Sequence, residues 1–135
     1  MALITINPLL IMKHCAFLIL CFSLIGCDPA YPPVIVNGYA EPIEISVSFT
    51  NDSNVPPQTG IRLPPMTEFV QRRKGLKIEE IRVKESSGTL RTYRSTDLED
   101  ARSKRKVDFE VWTLSEKGLK LGDREDLRKL RNGKN

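Results

Sequence analysis

At 135 residues the chain has room for one domain, and its single histidine (His14) and three cysteines (Cys15, Cys21, Cys27) all fall within the first 27 positions. Everything downstream therefore lacks the commonest general base, the commonest zinc ligands, a thiol nucleophile and any disulfide, which closes most hydrolase templates and metal centres. The net charge of +4 is unevenly spread: residues 27–70 hold five acids and one base, residues 71–135 hold 19 bases and 12 acids.

In chain order, the first distinctive element is the uncharged run Cys15 to Ile25. It has the length of the apolar region of a secretory signal and falls short of the roughly 20 residues that span a bilayer. Lys13 and His14 precede it, so a start at Met12 supplies the short basic flank of an export signal; Met1 is the alternative start. Leu24-Ile25-Gly26-Cys27 follows directly. Apolar core, small residue and cysteine in that order resemble the lipobox of bacterial lipoproteins. The resemblance implies cleavage between Gly26 and Cys27 by signal peptidase II, a thioether-linked diacylglycerol on Cys27 and palmitate-type acylation of the new amine. Two or three acyl chains give stable anchoring where one binds only marginally. In the same class an aspartate following the cysteine, here Asp28, resembles the signal that retains lipoproteins on the periplasmic face of the inner membrane rather than the outer membrane.

Residues 27–33 contain Pro29, Pro32 and Pro33, so they form a short extended tether that rises about 3.1 Å per residue and keeps the domain close to the bilayer. Residues 34–122 read as an all-β domain, mainly antiparallel. Val34 to Val36 forms an apolar run ended by the turn signal Asn37-Gly38. Ile43, Ile45, Val47 and Phe49 alternate with Glu44, Ser46 and Ser48, the period of a strand with one wet face. Thr50 to Gly60 collects turn formers and reads as a loop, with the sequon Asn51-Asp52-Ser53 as an ordinary turn. Short strands follow at Ile61 to Leu63, Glu68 to Gln71, Lys77 to Lys84 and Leu90 to Arg94. Ser86-Ser87-Gly88 joins the last two as a hairpin, and a bulge near Glu79 and Glu80 restores register between Ile78 and Ile81.

Thr96-Asp97-Leu98-Glu99 predicts a capping box, with Thr96 as N-cap of one short helix reaching about Ser103. That reading explains Asp97, Glu99 and Asp100 better than a calcium loop, whose spacing they do not match. Ser103-Lys104-Arg105-Lys106 fits S-x-x-K without the companion motifs of penicillin-binding enzymes. Val107 to Leu114 is expected as a strand, with Trp112 opposite the Val111 face and covered by the short helix, and Gly118 to Leu121 closes the sheet. Asp123 caps a helical tail over 123–135 with Leu127 and Leu130 on one face. Together these elements predict a small β-sandwich, immunoglobulin-like topology being the commonest such arrangement, with one short helix and a helical C-terminal tail.

The sequence gives no cofactor, no metal site and no catalytic residue; paired carboxylates are the remaining route to catalysis. The densest basic clusters, Arg72-Arg73-Lys74 and Arg102 with Lys104, Arg105 and Lys106, are the candidate contact surface for membrane lipid or another envelope component, protein or glycan. Nucleic acid is not an expected partner, because the signal exports the domain and Tyr93 and Trp112 are too few to form a stacking platform. The expected function is a lipid-anchored, non-catalytic envelope domain. The alternatives are a protective or inhibitory lipoprotein acting on an envelope enzyme, toxin or phage, and a hydrolase using carboxylates alone.

Overall fold

The computed structural model describes residues 31–50, 54–73 and 75–133. The signal segment with Leu24, Ile25, Gly26, Cys27 and Asp28, the Asn51-Asp52-Ser53 turn, Lys74 and the last two residues lie outside the described residues.

Among the described residues eight strands and two helices follow one another: β1 (Val34–Asn37), β2 (Ile43–Phe49), β3 (Gln58–Leu63), β4 (Glu68–Val70), β5 (Ile78–Lys84), β6 (Leu90–Tyr93), α1 (Ser95–Lys104), β7 (Val111–Ser115), β8 (Gly118–Gly122) and α2 (Arg124–Asn132). They form two four-stranded sheets, ordered β4-β1-β7-β8 and β3-β2-β5-β6. The expected β-sandwich is therefore present. Every pairing is antiparallel except β1 with β7. The strand order departs from the immunoglobulin arrangement, in which the first and second strands share a sheet.

The alternation read in β2 is the core of one sheet: Ile43, Ile45, Val47 and Phe49 are at most 3% exposed, and each such side chain contributes about 1.5–3 kcal/mol on burial. They meet Ile35, Trp112, Leu114 and Leu121 from the other sheet, with Leu98 of α1 closing one side. β1 shows no alternation because both of its faces are covered. Ile35 points into the inter-sheet core, while Val34, Val36 and Val111 pack with Leu127 under α2, where Phe109 and Leu130 complete the layer. The fold is thus sheet, sheet and helix, and α2 is its third layer. Asp123 starts α2 as expected, accepting the Asp126 N–H at 3.0 Å while the Asp126 carboxylate accepts the Asp123 N–H at 3.0 Å.

Several boundaries differ from expectation for local reasons. The bulge on β5 does not: it lies at Glu79 as expected, where Ser48 faces Glu80 but Phe49 faces Ile78. β3 begins three residues before Ile61, among residues expected as loop. An extra residue between its partners Gln58 and Ile61 is absorbed at Gly60, whose φ of +68° suits glycine. α1 is capped two residues earlier than Thr96: Arg94 is the N-cap, and the Asp97 carboxylate accepts the Arg94 N–H at 2.8 Å, so Glu99 does not reach back. Residues 107–110 are not strand; β7 begins at Val111, while Phe109 turns toward α2.

Asn37 carries more than a turn. It is fully buried, and its side-chain amide donates to the carbonyls of Glu41 and Leu63, both at 2.9 Å, while its Oδ1 accepts the Tyr39 N–H at 2.8 Å. This ties β1 to β3 across the sandwich. Its neighbour Gly38 donates its N–H to Leu114 O at 2.7 Å, so close that a Cβ there would stand 2.8 Å from that oxygen.

Candidate functional site

The register of the first sheet brings distant segments to one end of the sandwich. Val34 lies beside Val70 on one side and Val111 on the other, and Val111 faces Gly122. Pro33, Gln71, Glu110 and Asp123 therefore sit together where the chain enters from residues 27–33. Backbone bonds seal this end: the Val34 N–H donates to Glu110 O at 3.0 Å, and the Gln71 N–H to Pro33 O at 3.4 Å. Two grooves run beside Tyr31. One, of about 380 Å³, is walled by Lys106, Phe109, Asp123 and Arg124; the other, of about 220 Å³, by Pro33, Leu76, Lys77 and Asp108. We refer to this as the entry end.

The basic residues selected from the sequence separate here into two kinds. Arg72 and Arg73 are exposed on the turn after Gln71, whose Oε1 accepts the Arg73 N–H at 3.2 Å. Lys106 is exposed on the neighbouring loop. Among the described residues none of these three has a carboxylate within 4.0 Å. Lys104, by contrast, pairs with Asp100 at 2.6 Å one helical turn back, and Arg105 reaches Asp123 at 2.7 Å and Asp126 at 2.9 Å, bracing the start of α2. The Asp123 carboxyl is held below its ordinary range, first by the Asp126 N–H and then by Arg105.

Arg102 corrects the expectation of a surface cation. Its side chain is only 13% exposed and grips Glu110 with two bonds, Nε at 2.6 Å and Nη2 at 3.0 Å. It also donates to Glu99 at 2.7 Å and to Ile78 O at 3.3 Å. The guanidinium lies 5.2 Å from the Trp112 ring centroid, and Trp112 Nε1 donates to the same Glu110 carboxylate at 3.0 Å. Burial works against the charge on Arg102, but Glu110 and Glu99 outweigh it and raise its pKa; Lys77, then Arg102, lower that of Glu99. Arg102 is therefore a fastener between α1, β5 and β7. The covered Trp112 agrees with expectation, since Leu98 of α1 belongs to the same cluster.

Three entry-end residues had no signal in the sequence. Tyr31, 42% exposed, meets Phe109 edge to face with centroids 5.8 Å apart, and the Arg124 guanidinium lies 4.7 Å from Tyr31 and 5.4 Å from Phe109. They converge from the segment before β1, a loop and the first turn of α2, a grouping that only the folded register creates.

The opposite end carries an acid-lined groove. A groove of about 210 Å³ there is lined by Tyr39, Glu41, Glu85 and Glu116. Glu85 is engaged on two sides, by Arg91 at 2.6 Å and by the Tyr39 hydroxyl, which donates at 3.1 Å. Burial, reinforced by Glu85, pushes the Tyr39 hydroxyl from 10.0 up to about 12. Because the folded chain keeps this proton longer than the unfolded chain, its contribution is full below pH 10 and is lost as pH rises toward 12. Tyr39→Phe should remove this alkaline step, of at most about 2–3 kcal/mol, while costing about 1 kcal/mol at neutral pH for the lost hydrogen bond. Urea unfolding at several alkaline pH values measures both; an unchanged alkaline slope in the variant would count against the assignment.

Among the described residues no group of His, Cys, Asp or Glu has the clustering of a metal site, and no helix is long and apolar enough to cross a membrane. No protein-family model, curated protein or solved structure matches the chain.

Proposed function

We propose that this chain is a lipoprotein of the bacterial cell envelope, held on the periplasmic face of the inner membrane by lipid on Cys27, with a non-catalytic β-domain that binds or supports another envelope component. The observation that carries the reading is the order of elements at the N-terminus: an uncharged run from Cys15 to Ile25, the small residue Gly26, then Cys27 and Asp28. A proline-bearing segment too short to carry the domain far from the bilayer comes next. The placing of Arg72, Arg73 and Lys106 at the entry end is consistent with it, because cations on that end of a tethered domain stand nearest the membrane.

Composition supports the non-catalytic part. Residues 28–135 contain neither histidine nor cysteine, and in the acid-lined groove Glu85 is already committed to Arg91 and Tyr39. Replacement of Cys27 by Ser tests the anchor. The variant should leave no fatty-acid label on the protein and should no longer be processed at the Gly26-Cys27 bond. Undiminished labelling would remove the basis of the proposal.

A further inference from the structure

We propose that the entry end is a docking surface for anionic phospholipid headgroups, so that the domain lies with this end down on the bilayer instead of swinging on its tether. The inference rests on the anchored reading and adds an orientation and a lipid class to it. Arg72 and Arg73 on one side and Lys106 on the other, some thirty positions apart in sequence, reach this end because β4 runs out at Val70 beside the first residue of β1, and β7 starts at Val111 on its other side. The acids nearby are mostly committed: Glu110 to Arg102, Asp123 and Asp126 to Arg105, and Glu125 to Arg128. Asp108 stays exposed, against Arg72, Arg73, Lys106 and Arg124, none of which has a carboxylate partner among the described residues.

Two further features suit a headgroup layer. Tyr31 presents an exposed amphipathic ring beside Arg124, the combination that settles at the boundary of water and hydrocarbon. The opposite end offers no such surplus of free cations: Glu85 is held by Arg91, and Lys117 stands among the exposed Glu41 and Glu116, so the charge distribution favours the entry end facing an anionic surface. Each Lys or Arg close to an anionic leaflet favours the bound orientation by about fivefold.

Limited trypsin digestion of the full chain on vesicles, resolved site by site by mass spectrometry, tests the orientation. Cleavage after Arg72, Arg73 and Lys106 should be slowed at least about fivefold on vesicles containing phosphatidylglycerol relative to pure phosphatidylcholine, and the protection should vanish in 1 M salt, where the Debye length is about 3 Å. Cleavage after Lys117, exposed at the opposite end, should be the same on both. In a chain carrying Arg72→Gln and Lys106→Gln, both at exposed positions, the remaining cut after Arg73 should lose most of its lipid dependence. Equal rates on both vesicles, equal slowing at Lys117, or full protection persisting in the double variant would each overturn the proposal. The mass of the Cys27 peptide in the same digests separates the two readings. An unmodified Cys27 refutes the lipid anchor, while the phosphatidylglycerol dependence of the cuts after Arg72, Arg73 and Lys106 reports on docking by itself.

Discussion

Asn37→Ala should destabilise the domain by about 3–4 kcal/mol, because one small side chain completes three backbone groups and each buried group left unpaired costs about 1–3 kcal/mol. The Leu63 carbonyl and the Tyr39 N–H lose a buried partner, and the Glu41 carbonyl loses a half-buried one. A domain of this size has a total stability of roughly 5–15 kcal/mol, so the loss is a large part of the whole. Asn37→Asp should be no milder. It keeps an acceptor for Tyr39 but sets a carboxylate oxygen against two carbonyls. Urea denaturation with an unchanged slope reports the loss directly; a cost below about 1 kcal/mol would mean that the bonds to Leu63 and Glu41 are replaceable by water.

Arg102→Met should cost about 2–3 kcal/mol, somewhat less than the roughly 3–5 kcal/mol of a fully buried broken pair, since Glu110 keeps some contact with solvent. The substitution leaves the Glu110 carboxylate without its bidentate partner and removes the cation over Trp112. Adding Glu110→Gln should recover part of that loss. The stranded charge is gone, and the amide oxygen still accepts from Trp112 Nε1. The double-mutant cycle thus separates the pair from the packing of the arginine stem. Strict additivity of the two substitutions would show that the pair contributes nothing beyond its separate members.

How far the fold was legible depended on whether a segment met one environment or two. β2 has a core face and a wet face, and its alternation was plain. β1 has a core on both faces, so its apolar run gave a strand but no hint that α2 covers its second side. Gly60 hid the start of β3, because a glycine absorbing a bulged residue looks like a glycine in a turn. Val107 and Phe109 imitated strand alternation, yet Phe109 is drawn to α2 by Leu130, a partner more than twenty positions away. The candidate site was legible in its composition and illegible in its grouping. Arg72, Arg73 and Lys106 are recognisable as cations, but only strand register brings them to the end of the sandwich where β1 begins. Arg102 stands in a basic run whose composition groups it with its neighbours. Its position four residues after Leu98, on the buried side of α1, is the signal that could have set it apart, whereas its partner Glu110 has no helical spacing to reveal it.

The most direct measurement of the central claim is the mass of the N-terminal peptide from protein extracted out of the membrane fraction. The expected chain begins at Cys27 and carries diacylglycerol on its sulfur. A chain beginning at any other residue, or a Cys27 with a free thiol, would contradict it.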